Sequence, residues 1–177
     1  MIDFDIRYLT TGTEVVDHIE WLNNNREYVV LDVETNSKNP HIASIIEAQL
    51  SGTTVNSAVI FDVRYLQALK MIRSDMILVG QNLKYDFIVL NKHGIDLTDY
   101  RWEDTMLLDH LVDENVSHSL ENILNRRYGE VNYKADFWDK YNSYDEAPLK
   151  ERHQYAGSDI IYTDLVYRDL KGELNAV

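Results

Sequence analysis

The stretch "YVVLDVETNS", residues 28–37, constrains the fold more than any other segment. Tyr28, Val29, Val30 and Leu31 form a short, unbroken apolar run. Such a run reads as a strand buried on both faces, the strand type of an α/β sheet. Yet Asp32 and Glu34 follow at once. Strand side chains alternate with period 2, so both carboxylates point to the face of Val30 and converge there. A strand running out into solvent is the simplest account of a lone D-x-E pair; only further acids with the same property would argue for a site.

The rest of the chain supplies more strands first and more helices later. A short strand is expected near Ile6–Leu9. "TTGTEVVDHIEWLNN" follows, with a capping box formed by Thr11 and Glu14 ahead of Val15, Ile19 and Leu22. "SIIEAQLSG" and "NSAVIFDV" read as a hairpin turning around residues 52–54. "YLQALKMIRSD" reads as helical, "MILVG" as a buried strand, and "LKYDFIVLNKHG" as a helix closed by Gly94. "DTMLLDHLVDE" and "SLENILNRRYG" read as helices capped by Asp104 and Ser119. Residues 129–146 have no period and read as a loop with short helical pieces. A long last helix begins near Pro148. This order predicts an α/β fold, a mixed sheet flanked by helices, and one domain over residues 1–177.

Composition narrows the chemistry. No apolar run approaches a membrane span, and the N-terminus carries acids where a signal peptide would be basic. The chain has no Cys, which excludes thiolate sites and fits a reducing, cytoplasmic compartment. The six His show no pair at metal-ligand spacing, which argues against zinc. A net charge of −13 disfavours general electrostatic binding of nucleic acid, but it permits acids that hold divalent cations.

Two further acids resist a local explanation. On a helix beginning at Leu83, Asp86 lies only about 60° from the core stripe of Leu83, Phe87 and Leu90. Asn82 reads as the N-cap of that helix, and the positive helix end favours Asp86. Those local effects account for Asn82 well and for Asp86 only in part. Asp159 lies on a helix face with Tyr155, Tyr162 and Val166, beside the stripe of Ala156, Ile160, Thr163 and Tyr167. A boundary residue paired with an Arg is the simpler reading of Asp159 alone. Asp109, Asp113 and Glu114 read as a solvated helix face, and Asp104 as a plain cap.

Taken in order, Asp32-x-Glu34, Asn82-x-x-x-Asp86 and Tyr155-x-x-x-Asp159 resemble the three exonuclease motifs of the DEDD 3′→5′ exonucleases. The tyrosine in the third motif marks the subtype. Tyr155 is about 40° from Asp159 around the helix, whereas His153 is about 120° away. The wording "LDVETNS", "VGQNLKYDFIVL", "EDTMLLDHLVDE", "HSLENIL" and "YAGSDIIYTDLVY" is similar to the proofreading exonuclease domain of family A DNA polymerases, over roughly residues 28–167.

That resemblance implies a ribonuclease H-like fold with helices on both sides of the sheet. It implies a phosphodiester hydrolase using two divalent ions, Mg²⁺ or Mn²⁺, because all-oxygen ligands select a hard cation. Asp32, Glu34 and Asp159 would hold one ion. Asp32 would bridge to a second, which Asp86 would hold through water. Tyr155 would orient the attacking water. Asn82, Thr35 and Lys84 would meet the 3′-terminal nucleotide, with capping still open for Asn82. Lys134, Lys140, Arg126 and Arg127 are candidate phosphate contacts. Tyr133, Phe137 and Trp138 are candidate stacking residues, with core packing the alternative. The expected substrate is a single-stranded DNA 3′ end. The expected partner is a polymerase domain in the same or another chain, around a monomeric nuclease. Two other readings of the same motifs are a ribonuclease D-like exoribonuclease and a catalytically silent domain, although a silent domain would be expected to lack site carboxylates.

Overall fold

The computed structural model describes residues 4–176. Six strands make one mixed sheet: β1 (Asp5–Leu9), β2 (Tyr28–Thr35), β3 (Ile45–Ser51), β4 (Ser57–Asp62), β5 (Ile77–Gly80) and β6 (Arg101–Asp104). Their spatial order is β1-β4-β3-β2-β5-β6. The hairpin strands β3 and β4 and the pair β2–β3 run antiparallel, while β1–β4, β2–β5 and β5–β6 run parallel. The helices are α1 (Gly12–Asn25), α2 (Leu83–Lys92), α3 (Thr105–Val112), α4 (Leu120–Tyr128), α5 (Tyr133–Trp138) and α6 (Leu149–Asn175). No helix among the described residues is long and apolar enough to cross a membrane.

The period-2 argument holds along β2. Val29, Leu31 and Val33 join the core under α1 and α2, with Ile19, Leu22, Val89 and Leu90. Val30 joins the opposite core, with Ile160 and Ile161 of α6. The sheet is therefore covered on both sides, as the apolar run requires.

Local signals hold at the element ends. Thr11 Oγ1 accepts from the Glu14 N–H at 3.2 Å, and the Glu14 carboxylate accepts from the Thr11 N–H at 3.1 Å, closing the capping box. α2 ends in a Schellman turn. Gly94 takes φ +75, its N–H reaches the Asn91 carbonyl, and the Ile95 N–H reaches that of Leu90 at 3.0 Å. Two differences from expectation have physical causes. Residues 63–71 wind as a 3-10 helix, which shares its apolar spacing with a short α-helix. β6 is a four-residue edge strand with one buried residue, Asp104, so it carries no hydrophobic period to read.

Gly157 sets the distance between α6 and the sheet. A Cβ there would lie 2.6 Å from the Ile6 side chain of β1. Gly157→Ala should cost about 1–3 kcal/mol by overpacking. Ile6→Ala in the same chain should recover part of that loss. Thermal melts of the single and double variants check this; an unchanged midpoint in Gly157→Ala would contradict the close approach.

Candidate active site

The acids of β2 and α6 meet at the carboxyl end of β2. Oxygens of Asp32, Glu34 and Asp159 all lie within 4.8 Å of one another. Asp32 and Glu34 share the Val30 face, over which the α6 helix lies. After Glu34 the pairing with β3 slips by one residue, a bulge that bends the strand away into the loop of residues 36–44.

Asp86 reaches the same place from the other side. β2 pairs with β5 only as far as Val30, so the outer part of β2 projects beyond its neighbour. The Val33 N–H there donates to Asp86 Oδ1 at 3.1 Å, and Asp86 lies close enough to Asp32 for each to feel the other's charge. Asp86 is 2% exposed. It thus ties α2 to β2, a role beyond the favourable helix end that the sequence suggested.

These carboxyls resist ionisation. Burial, then the Asp159 charge, pushes Asp32 up to about 7. Burial and the Asp32 charge hold Glu34 and Asp86 well above the usual carboxylate range. Burial and Asp159 likewise raise the Tyr155 phenol, which is therefore un-ionised at neutral pH and no base. The Tyr155 hydroxyl accepts from Lys134 Nζ at 3.3 Å and from the Trp138 indole N–H at 3.2 Å. Its ring stacks on Phe137 at 4.4 Å.

The remaining expected site residues divide. Asn82 lines the cleft and is exposed. It occupies the N-cap position with φ 64 and ψ 47 and makes no side-chain capping bond. The cap is Asp104, whose carboxylate accepts from the N–H groups of Asn82 at 2.9 Å, Leu83 at 2.8 Å and Met106 at 2.9 Å. Asp104 therefore caps two helices, and Asn82 keeps its amide free. Thr35 is already engaged: its hydroxyl donates to the Ser37 carbonyl at 2.9 Å and meets Tyr85 Oη at 2.5 Å. Lys84 is exposed and stands outside the cleft lining. Arg126 and Arg127 also drop out as phosphate contacts, because they turn to Asp109 at 2.6 and 3.9 Å. Lys140 lies 3.6 Å from Glu151. Phe137 is core, whereas Trp138 is 41% exposed at the rim.

Several features escaped the sequence reading. Asp109 is not a solvated acid: it is 2% exposed and also accepts from His118 Nδ1 at 2.7 Å. His118 Nε2 in turn lies 3.1 Å from His110 Nδ1, a pair that an eight-residue spacing conceals. Glu47, opposite Glu34 on β3, is buried under Tyr144, Arg152 and His153 at 2.7 to 3.2 Å. Gln49, opposite Asp32, is fully buried with neither amide atom paired within the protein. Lys134 Nζ sits 2.6 Å from Asp159 Oδ2. Nothing local in the sequence marks these partners, since each is set by strand register or by one segment folding back on another, α4 and the turn before it on α3 or α5 on α6.

The cleft holding this cluster has a volume of about 420 Å³ and is lined also by Lys38, Gln81, Trp138 and Tyr144. Three hard oxygen donors at this spacing suit a hard divalent cation.

Comparison with known proteins gives the family and the fold. The 3′-5′ exonuclease family model matches residues 6–175, so the chain belongs to that family. Its likeness is to the exonuclease domain of family A polymerases. It is 27% identical over 180 residues to DNA polymerase I of Aquifex aeolicus (strain VF5), covering 97% of this chain and 29% of that protein. The chain thus spans under a third of the curated relative that it matches. Among solved structures, Escherichia coli RNase D, an exoribonuclease involved in structured RNA processing, superposes with a TM-score of 0.73 at 18% identity, over 99% of this chain and 46% of that one. Brucella melitensis NrnC with bound Mg²⁺ gives 0.71 at 17% identity, over 99% and 83%. At these identities the structural likeness shows the fold, which is ribonuclease H-like.

The raised carboxyl pKa values predict how the metal-free protein responds to pH. A carboxyl ordinarily titrates near 4, so between about pH 4 and 7 Asp32 binds more protons folded than unfolded. The stability tied to the cluster is full at the acid end and is lost as pH rises through about 7. In EDTA the melting temperature should fall by a few degrees over that window. Millimolar Mn²⁺ should oppose the fall, and Asp32→Asn should flatten it. A flat or rising profile in EDTA would contradict the assignment.

Proposed function

We propose that this protein is a 3′→5′ exonuclease of proofreading type, which removes nucleotides from single-stranded or frayed DNA 3′ ends. The observation that carries the reading is the convergence of Asp32, Glu34 and Asp159 beside the Tyr155 hydroxyl, within a chain of this family. The 27% identity to a DNA polymerase I supports DNA as substrate, and a polymerase domain, in the same or another chain, as partner.

In this reading Asp32, Glu34 and Asp159 would hold Mg²⁺ or Mn²⁺. Two such ions would supply an acidified water and Lewis-acid stabilisation of the phosphate and the leaving 3′-oxygen. Asp86 fixes β2 beside Asp32 by accepting from the Val33 N–H. Tyr155, neutral and buried against Phe137, presents a hydroxyl that orients the attacking water without taking its proton. Asn82 has a free amide at the cleft rim for the terminal nucleotide. Thr35 and Tyr85 lock the loop of residues 36–44, which brings Lys38 into the cleft. With the overall charge at −13, binding is confined to a few terminal nucleotides.

Digestion of 5′-labelled and 3′-labelled DNA and RNA strands tests this reading. Shortening from the 3′ end of DNA, abolished by EDTA and restored by Mg²⁺ or Mn²⁺, is expected. Digestion of RNA alone would move the assignment to an exoribonuclease, and full activity in EDTA would end it. Asp32→Ala and Asp159→Ala should abolish turnover in a folded protein. Tyr155→Phe should cost on the order of ten- to a thousandfold in single-turnover rate, as expected for one orienting hydrogen bond. Wild-type cleavage by Tyr155→Phe would reduce the tyrosine to packing.

A further inference from the structure

The Tyr155 hydroxyl and both Asp159 oxygens, which α6 brings to the site, are already held by α5. Tyr133 donates its hydroxyl to Asp159 Oδ1, and Lys134 donates to Asp159 Oδ2 at 2.6 Å. Lys134 and the Trp138 indole N–H both donate to the Tyr155 hydroxyl. The Lys134 side chain is only 22% exposed. Its ammonium lies 5.1 Å from the Tyr155 ring and 5.5 Å from that of Tyr133, over both aromatic faces. Burial alone would favour the neutral amine, but the Asp159 carboxylate overrides it and keeps the ammonium charged. A cluster of acids, half-buried at Asp32 and Glu34 and buried at Asp159, thus already contains one positive charge, delivered by a six-residue helix in a segment whose neighbours are loops.

We infer that α5 is a latch on the carboxylate site, in which the Lys134 ammonium occupies Asp159 until a divalent cation displaces it. The inference rests on the proposed reading of Asp32, Glu34 and Asp159 as a cation site. Each Asp159 oxygen already accepts one hydrogen bond, Oδ1 from Tyr133 and Oδ2 from Lys134, so a cation facing Asp32 and Glu34 must share Asp159 with them or displace one. A divalent ion and an ammonium so close together repel each other, and a site of this burial screens that repulsion weakly. Cation binding and the grip of α5 therefore oppose each other. Lys134 stabilises the metal-free protein and weakens its hold on the ion. Release also frees the ammonium within reach of the Tyr155 hydroxyl, where an incoming phosphate can take it up.

The competing account leaves Lys134 on Asp159 throughout, as a fixed support that orients the carboxylate for the ion. The two accounts differ in sign. Calorimetric Mn²⁺ titration of the full chain, without nucleic acid, compares the wild type with Lys134→Met, Lys134→Arg and Tyr133→Phe. Thermal melts of each with EDTA and with Mn²⁺ accompany it. The Met side chain keeps a flexible stem of similar length and removes the charge. Lys134→Met should bind Mn²⁺ on the order of tenfold tighter than the wild type. It should melt lower in EDTA and show a larger Mn²⁺-induced rise. Tyr133→Phe should shift affinity the same way by a smaller factor, and Lys134→Arg should stay near the wild type. Equal or weaker binding by Lys134→Met would overturn the latch in favour of the fixed support. If Lys134→Met does not fold in EDTA, Tyr133→Phe decides by the same criterion, and weaker binding there overturns the latch too. A wild type that takes up no Mn²⁺ would instead remove the cation site itself, and the latch with it.

Discussion

Like charges held together against their repulsion organise this molecule. Asp32 and Glu34 are fixed two residues apart on a strand whose first half is buried on both faces. Asp159 is fixed on α6, whose neighbours Ile160 and Ile161 are in the opposite core. None of the three can retreat without unpacking an apolar contact, and burial of such contacts is the main favourable term in folding. The free energy that forces the acids together is thus supplied elsewhere in the fold. The cluster returns part of it as raised pKa values, and a cation placed among the acids would recover it.

The surroundings are arranged to bear that load. Asp86, next to Asp32, secures the Val33 N–H that β5 leaves unpaired. Asp104 does the corresponding work for the start of α2, which leaves Asn82 in a left-handed conformation with its side chain free. One strand further in, Glu47 gathers Tyr144, Arg152 and His153, tying the turn before α6 and the first turn of α6 to the sheet. These polar ties are buried and well partnered, as interior polar groups must be. Arg152 Nε is left without a partner, and so is the whole amide of Gln49, which lies directly across from Asp32.

What the sequence revealed and what it hid follow from the range of the interactions. Period 2 on β2 and the helical spacing of Asp86 and Asp159 expose acids on buried faces, because burial patterning is a local property of the chain. The capping box at Thr11 and the Gly94 stop are equally local. Hidden were the partners. Asn82 resembles a cap in any sequence reading; that Asp104 takes the role depends on β6 lying beside β5, and β6 is too short and too exposed to announce itself. Asp109 reads as a surface acid until Arg126, Arg127 and His118 close over it. Lys134 reads as a free cation in an irregular segment, and only the return of α5 onto α6 sets it on Asp159. Family resemblance supplied the grouping of the acids, but it did not supply these contacts.

The account stands on Asp32, Glu34 and Asp159 forming one cation site that displaces Lys134. Anomalous scattering from a crystal of the protein soaked in Mn²⁺ examines that claim directly. A peak among the three carboxylates, at about 2.0–2.2 Å from their oxygens, with the Lys134 ammonium withdrawn from Asp159, is the expected result. No peak there, with Lys134 still seated on Asp159, would contradict it.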